Sequence, residues 1–259
     1  MAVCKNCAFE FTGKFCPECG QKAKTKRITL KSVWEEVRKS VIHYDQGFSY
    51  TVLQLLRQPG HAIREYLEGK RVNHIKPVKF LLWTTALNFL VFHLVGMDTE
   101  MINALSKQQG QNKFSAGFAQ YIFDHPAILI FLMIPNISLF SWLYFRKQAF
   151  NYAEHFVLNA YLMGMVSLFG IISNPALKLA GPAHSVFSIK MGLVSLIWIG
   201  YMGWGYVQFF QPLEKKWWTW LKAVLAIFSG YLMLILITSV LITLVIVLFW
   251  PWVKPFLQG

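Results

Sequence analysis

Polar and apolar residues change their spacing partway along this chain. Through the first 79 positions they alternate within single turns, whereas from about Phe80 the apolar runs lengthen to roughly 20 residues, parted by short polar breaks and by one longer loop over 98–125. Five stretches are long enough to cross a bilayer, approximately 78–95, 127–145, 155–173, 186–210 and 220–250. Each is expected to be helical, because backbone amides in hydrocarbon find no water and an open sheet would expose its edges. The last two exceed the minimum span, which calls for tilt, a kink or an interfacial extension.

Ahead of these runs the pattern is amphipathic. Leu30, Val33, Trp34, Val37, Val41 and Ile42 recur at helical spacing, with Lys31, Glu35, Glu36, Arg38 and Lys39 mostly opposite. Such a stripe suits either the membrane interface or the flank of neighbouring helices. A second helical stretch runs from about Ser49 to Arg57, breaks at Pro59-Gly60, and restarts through Ala62, Ile63, Tyr66 and Leu67 until Gly69 ends it. Pro59 removes an amide donor and Gly60 relaxes the backbone, so a sharp bend is expected at the membrane plane. Three zones follow: residues 1–22, a basic and amphipathic approach over 23–79, and a transmembrane bundle over 80–259.

Composition agrees with this division. The chain is 55% hydrophobic and only 14% charged, too few charges to cover a soluble surface. Its net charge of +13 is unevenly placed, since residues 1–79 hold 15 of the 25 Lys and Arg but 7 of the 12 Asp and Glu. A basic collar beside a bilayer meets anionic lipid before nucleic acid, so lipid is the expected partner. No apolar run precedes about Phe80, and the head is therefore expected to stay in the cytosol.

All four cysteines lie in the first twenty residues. Cys4-x-x-Cys7 and Cys16-Pro17-Glu18-Cys19-Gly20 form a pair of metal knuckles in which each two-residue gap lets both thiolates face one ion. Four thiolates in a tetrahedron suit structural Zn2+, and a segment this short needs such a staple to hold a fold. Iron fits the same donor set, and two disulfides would require an oxidising compartment. Phe9, Phe11 and Phe15 read as the miniature core of a zinc ribbon that binds a partner, protein or nucleic acid.

Loop charge gives the orientation. Residues 1–79, Arg146-Lys147, and Lys215-Lys216 with Lys222 share one side, while the loop 98–125 carries Lys107 and Lys113 against Asp98, Glu100 and Asp124. The N-terminus is thus expected inside and the C-terminus outside, with Trp217, Trp218 and Trp220 at the inner end of the last span. Arg64, Lys70, Arg71, Lys76 and Lys79 flank the first span, either as a headgroup clamp or as plain topology anchors.

Within the spans, Asn88, Asn136 and Asn159 define a candidate polar seam, together with Thr84, Thr85 and Ser138. Interhelical hydrogen bonding is its plainer reading and an oligomeric pore or carrier the sharper one. Asp124-His125 and Glu154-His155 fall on opposite faces with no nucleophile beside either, and no catalytic set is expected.

The succession Gly20-Gln21-Lys22, Arg27-Ile28-Thr29, Asp45-x-Gly47-Phe48-x-x-Thr51, Leu55-Leu56-x-x-Pro59-Gly60, Ile63-x-x-Tyr66-Leu67-x-Gly69-Lys70-Arg71 and Pro77-x-x-Phe80-Leu81 resembles a family of bacterial membrane proteins labelled as a domain of unknown function. The likeness covers roughly the first hundred residues. It implies a zinc ribbon joined to membrane helices and supplies no activity. The expected whole is an all-α polytopic membrane protein with about five transmembrane helices, a small N-terminal zinc ribbon and interfacial helices. It is expected in the bacterial inner membrane as an anchoring, assembly or regulatory protein that meets a protein partner, with a homo-oligomer as one expected form.

Overall fold

A computed structural model of the chain describes residues 1–39, 47–97, 126–179, 184–211 and 215–248. Two short strands, β1 (Ala2–Val3) and β2 (Glu10–Phe11), pair antiparallel with Ala2 opposite Phe11 and open the N-terminal ribbon. Helices α1 (Leu30–Lys39), α2 (Phe48–Arg57) and α3 (Pro59–Glu68) follow. Five long helices complete the described chain: α4 (Pro77–Val95), α5 (Pro126–Tyr144), α6 (Tyr152–Leu179), α7 (His184–Phe210) and α8 (Lys216–Leu248).

Among the described residues, four of these helices, α4, α6, α7 and α8, are long and apolar enough to cross a membrane. Over 127–145, where a fifth span is expected, α5 is a 19-residue helix whose apolar part among the described residues, Leu132–Tyr144, is shorter than those four. The loop 98–125 with Asp124 and His125, and Val41 and Ile42 of the amphipathic stripe, lie outside the described residues.

Local chemistry sets the helix ends. Pro77 occupies the first turn of α4, where its missing N–H costs nothing, and Gly96 closes the helix in the left-handed conformation at φ 73°. At the start of α6, Asn151 Oδ1 accepts from the Glu154 amide at 3.0 Å while Glu154 Oε2 accepts from the Asn151 amide at 2.8 Å. That reciprocal capping box satisfies two orphan donors where the chain enters the bundle.

Helix α6 is the central post. Its apolar window is 67% buried, against 22% for α8, and α4 lies along one flank while α5 and α7 take others. Ala153, Val157, Leu158, Tyr161 and Leu162 of α6 meet Phe80, Leu81, Tyr206 and Phe209 in one continuous core. Phe228, Leu236 and Val240 on α8 stay exposed, as a lipid-facing surface requires.

The α2–α3 pair is packed into the bundle rather than laid loosely beside it. Gly60 sits against α7 so closely that a Cβ there would lie 2.5 Å from the Gly205 carbonyl and would run into the Phe209 amide. Gln208 Oε1 accepts from the Gly60 amide at 3.1 Å, and Tyr201 Oη donates to the Leu55 carbonyl at 3.0 Å. The Pro59-Gly60 break is therefore a helix crossing as well as a bend. Helix α1 buries Val33 in the same core but leaves Leu30 and Trp34 exposed, so its stripe is divided between the bundle and the surroundings.

Candidate metal centre and its seat on the bundle

The ribbon is built from two copies of one backbone turn. In the first, the Ala8 amide donates to the Cys4 carbonyl at 2.9 Å; in the second, the Gly20 amide donates to the Cys16 carbonyl at the same distance. Each turn ends on a residue with positive φ, Ala8 at 61° and Gly20 at 73°. Glycine holds that conformation without strain, whereas alanine does not. The Phe15–Lys22 bridge and the Ala23 amide to the Lys14 carbonyl fasten the second knuckle as the short β1–β2 pair fastens the first.

Both knuckles aim their sulfurs at one point. All four Sγ atoms lie within 4.8 Å of one another, with Cys4 to Cys19 at 3.5 Å and Cys7 to Cys16 at 3.6 Å. The edge of a tetrahedron with metal–sulfur bonds of about 2.3 Å is roughly 3.8 Å, so these separations fit a single four-coordinate ion. They are far from the ~2.05 Å of a disulfide, and all four cysteines are free thiols.

The thiols also differ in acidity. Burial opposes charge on Cys4, but the amides of Cys7 and Asn6 and the neighbouring sulfurs outweigh it and bring that thiol down to about 7. For Cys7 the Phe9 amide favours the thiolate, yet burial and the sulfurs of Cys19, Cys16 and Cys4 together push it up to about 12. A cation held by these four sulfurs would have to displace their protons. Only Phe11 of the three phenylalanines forms the ribbon's core with Cys4 and Cys16; Phe9 and Phe15 are 44% and 56% exposed.

This bead is seated on the bundle. Buried Gln21, one residue past the second knuckle, donates from Nε2 to the Gly69 carbonyl at 2.8 Å, where α3 ends. Arg71 reaches back to the Lys26 carbonyl at 3.1 Å while lying over the Tyr66 ring. Arg27 grips Glu154 of the α6 cap through two 2.7 Å bonds, and Asn151 Nδ2 donates to the Ile28 carbonyl at 3.1 Å. An Asn-x-x-Glu ahead of an apolar run is the sequence signal for this anchor, whereas Gln21 stands out only as part of the Gly20-Gln21-Lys22 motif, which does not indicate its partner.

The five basic residues at the first span are placed apart, each with its own surroundings. Arg64 donates to the Phe209 carbonyl at the end of α7 and lies near the Phe150 and Phe209 rings. Lys70 pairs with Glu65 at 2.5 Å, Lys79 is 6% exposed, and Lys76 lies exposed at the α4 cap.

The three asparagines likewise fall into separate sets. Asn159 donates to Ser138 at 3.2 Å and accepts from Tyr206 Oη at 2.7 Å, all fully buried. Asn88 accepts from Asn174 at 3.1 Å, and Asn136 donates to the Leu132 carbonyl of its own helix at 2.7 Å. Nearby, His155 is fully buried with Nδ1 2.6 Å from Ser141 Oγ and its ring against Phe145 and Phe210.

Comparison with curated proteins and with solved structures gives no match to this chain. Residues 45–89, which hold α2, α3 and the first two-thirds of α4 but not the cysteines, match the family model described as "Protein of unknown function (DUF3667)".

Proposed function

We infer that this chain is a non-enzymatic membrane adaptor whose cytosolic ribbon, closed by structural zinc, meets a protein partner and hands that contact to the helical bundle. The observation that carries the reading is the split among the ribbon phenylalanines: Phe11 is buried while Phe9 and Phe15, like Val3, are exposed. A metal-stapled bead has little core of its own, so spending two large aromatics on its surface suits recognition better than stability. The seat formed by Gln21, Gly69, Arg27 and Glu154 supplies the route from bead to helices.

Zinc is favoured by four thiolates with no open ligand position. The positive collar supports a reading with the N-terminus inside and the C-terminus outside, and a bacterial cytoplasmic membrane is the setting this reading assigns. Transport through an oligomeric pore has less support, because Asn88, Asn136 and Asn159 hydrogen-bond in three separate sets.

Crosslinking in membranes followed by purification in mild detergent tests the adaptor reading. A specific protein should be recovered with the native chain and lost with Phe9→Ser combined with Phe15→Ser, and also with Cys4→Ser. Equal recovery by all three would argue against the ribbon as the contact, and protein-dependent flux of ions or lipid probes from liposomes would favour the pore.

A further inference from the structure

Between the ribbon linker, α3 and the turn into α6 lies a cavity of about 280 Å³ that belongs neither to the metal centre nor to the aromatic surface beside it. Lys5 comes from the first knuckle, Lys26 and Arg27 from the linker, and Arg64 from α3; the carboxylates on its wall are Glu68 and Glu154. Glu154 is already taken by Arg27 in a two-pronged pair, so the wall keeps an excess of positive charge. Among the described residues Lys5 and Lys26 have no ion-pair partner, and both are exposed at the rim.

A second observation points the same way. The hydroxyl of Thr25 and Nε of Arg64, on two residues of this wall, are buried without a hydrogen-bond partner. Buried polar groups are nearly always satisfied, and two exceptions on residues of one wall leave donors that an acceptor-rich ligand would meet after a small shift of these side chains. The nearby side chains of Leu67 and Phe150 add an apolar wall. The cavity also lies where α7 ends and α6 begins, at the level expected for headgroups.

We propose that this cavity is a binding site for a phosphate group, with Lys5, Lys26 and Arg64 as its cationic contacts and Arg27 held ready by Glu154. An oxyanion with three or four acceptor oxygens suits several cationic donors drawn from the ribbon, the linker and α3 better than a single carboxylate does. The volume falls just below the range of drug-sized pockets and suits a headgroup rather than a whole nucleotide. An anionic phospholipid, its glycerol against Leu67 and Phe150, is one source of that group and free phosphate the other. The proposal does not depend on the ribbon having a protein partner.

The test uses the full chain with its metal, in micelles of an uncharged detergent. Native mass spectrometry follows binding of phosphatidylglycerol in one arm and inorganic phosphate in the other, with phosphatidylcholine as the zwitterionic reference. Saturable one-to-one binding of phosphatidylglycerol, or of phosphate, is expected, and the arm that saturates identifies the source. K5Q combined with K26Q should weaken that binding about 30-fold, since each removes roughly one surface cation's worth of attraction. K14Q combined with K31Q makes the same change of charge away from the cavity and should weaken it by less than about threefold. All four lysines are exposed, so both double variants are expected to fold, as metal content and melting temperature will show. Failure of both ligands to saturate, or equal losses in the two double variants, overturns the proposal.

Discussion

The Gln21 side-chain amide donates to the Gly69 carbonyl across 2.8 Å, joining residues 48 positions apart in the sequence. Gly69 sits at φ 121°, a conformation closed to most side chains, and a Cβ there would lie 2.8 Å from Thr25 Oγ1 and 2.9 Å from Lys5 Cδ. One small residue therefore both ends α3 and leaves room for the ribbon to dock. Gly69→Ala should cost about 1–3 kcal/mol through strain and overpacking. Limited proteolysis would register it as faster cleavage over residues 22–27, with unchanged cleavage arguing that the ribbon is not seated there.

The two knuckles predict opposite effects for two reciprocal substitutions. Gly20→Ala places a Cβ in open space, with nothing within 4 Å, so its cost is conformational alone, about 1 kcal/mol. Ala8→Gly relieves the matching strain at φ 61° in the first knuckle and should strengthen metal retention by up to about the same amount. Chelator competition measures both. Loss of retention in Ala8→Gly would contradict the matched-turn account.

Metal retention should depend steeply on acidity. The metal binds thiolates, and protons compete for the same sulfurs. With Cys4 ionising near about 7 and Cys7 near about 12, affinity should fall continuously from about pH 8 to about pH 6. Competition with a chelator of known pH dependence would show it, and a flat profile would speak against a four-thiolate site.

His74 gives a separate pH response. Burial between Tyr50 and Tyr66 lowers its pKa, against a smaller opposing pull from Glu65. The folded protein thus prefers neutral His74. Its contribution to stability is complete above the unfolded value near 6.5 and is lost as pH falls below that value toward the depressed folded one. Melting temperature should drop between about pH 7.5 and about pH 5 in the native chain, and less in His74→Phe. Equal drops would assign the acid response elsewhere.

Inside the bundle, Tyr206→Phe removes the only donor that another helix gives to Asn159 Oδ1 among the described hydrogen bonds. The expected loss is about 1 kcal/mol, within the usual range for interhelical bonds in membranes. Unfolding in a mixed-detergent titration reads it directly. If the variant also created ion leakage in liposomes, the fastening role assigned to this cluster would be untenable.

Much of this architecture was legible because it depends on short spacings. The Cys-x-x-Cys pairs fixed the donor set, apolar run length marked the long helices, and Pro59-Gly60 marked the break between α2 and α3. What escaped depends on which distant surfaces meet. Arg64, expected at the headgroups from its neighbours, also donates to the Phe209 carbonyl at the end of α7, 145 residues away. Asn88 and Asn159 share a residue type and a membrane setting, yet their partners, Asn174 and Tyr206, place them in different clusters. The ribbon phenylalanines look alike until the β1–β2 register turns Phe11 inward.

Hydrogen exchange on the protein in lipid nanodiscs, with its metal and after chelation, addresses the coupling of bead to bundle most directly. Removing the metal should accelerate exchange across residues 1–26 and, with them, residues 59–71, because Gln21 and Gly69 share one contact. Acceleration confined to residues 1–26, or a purified chain that binds no metal at all, would contradict it.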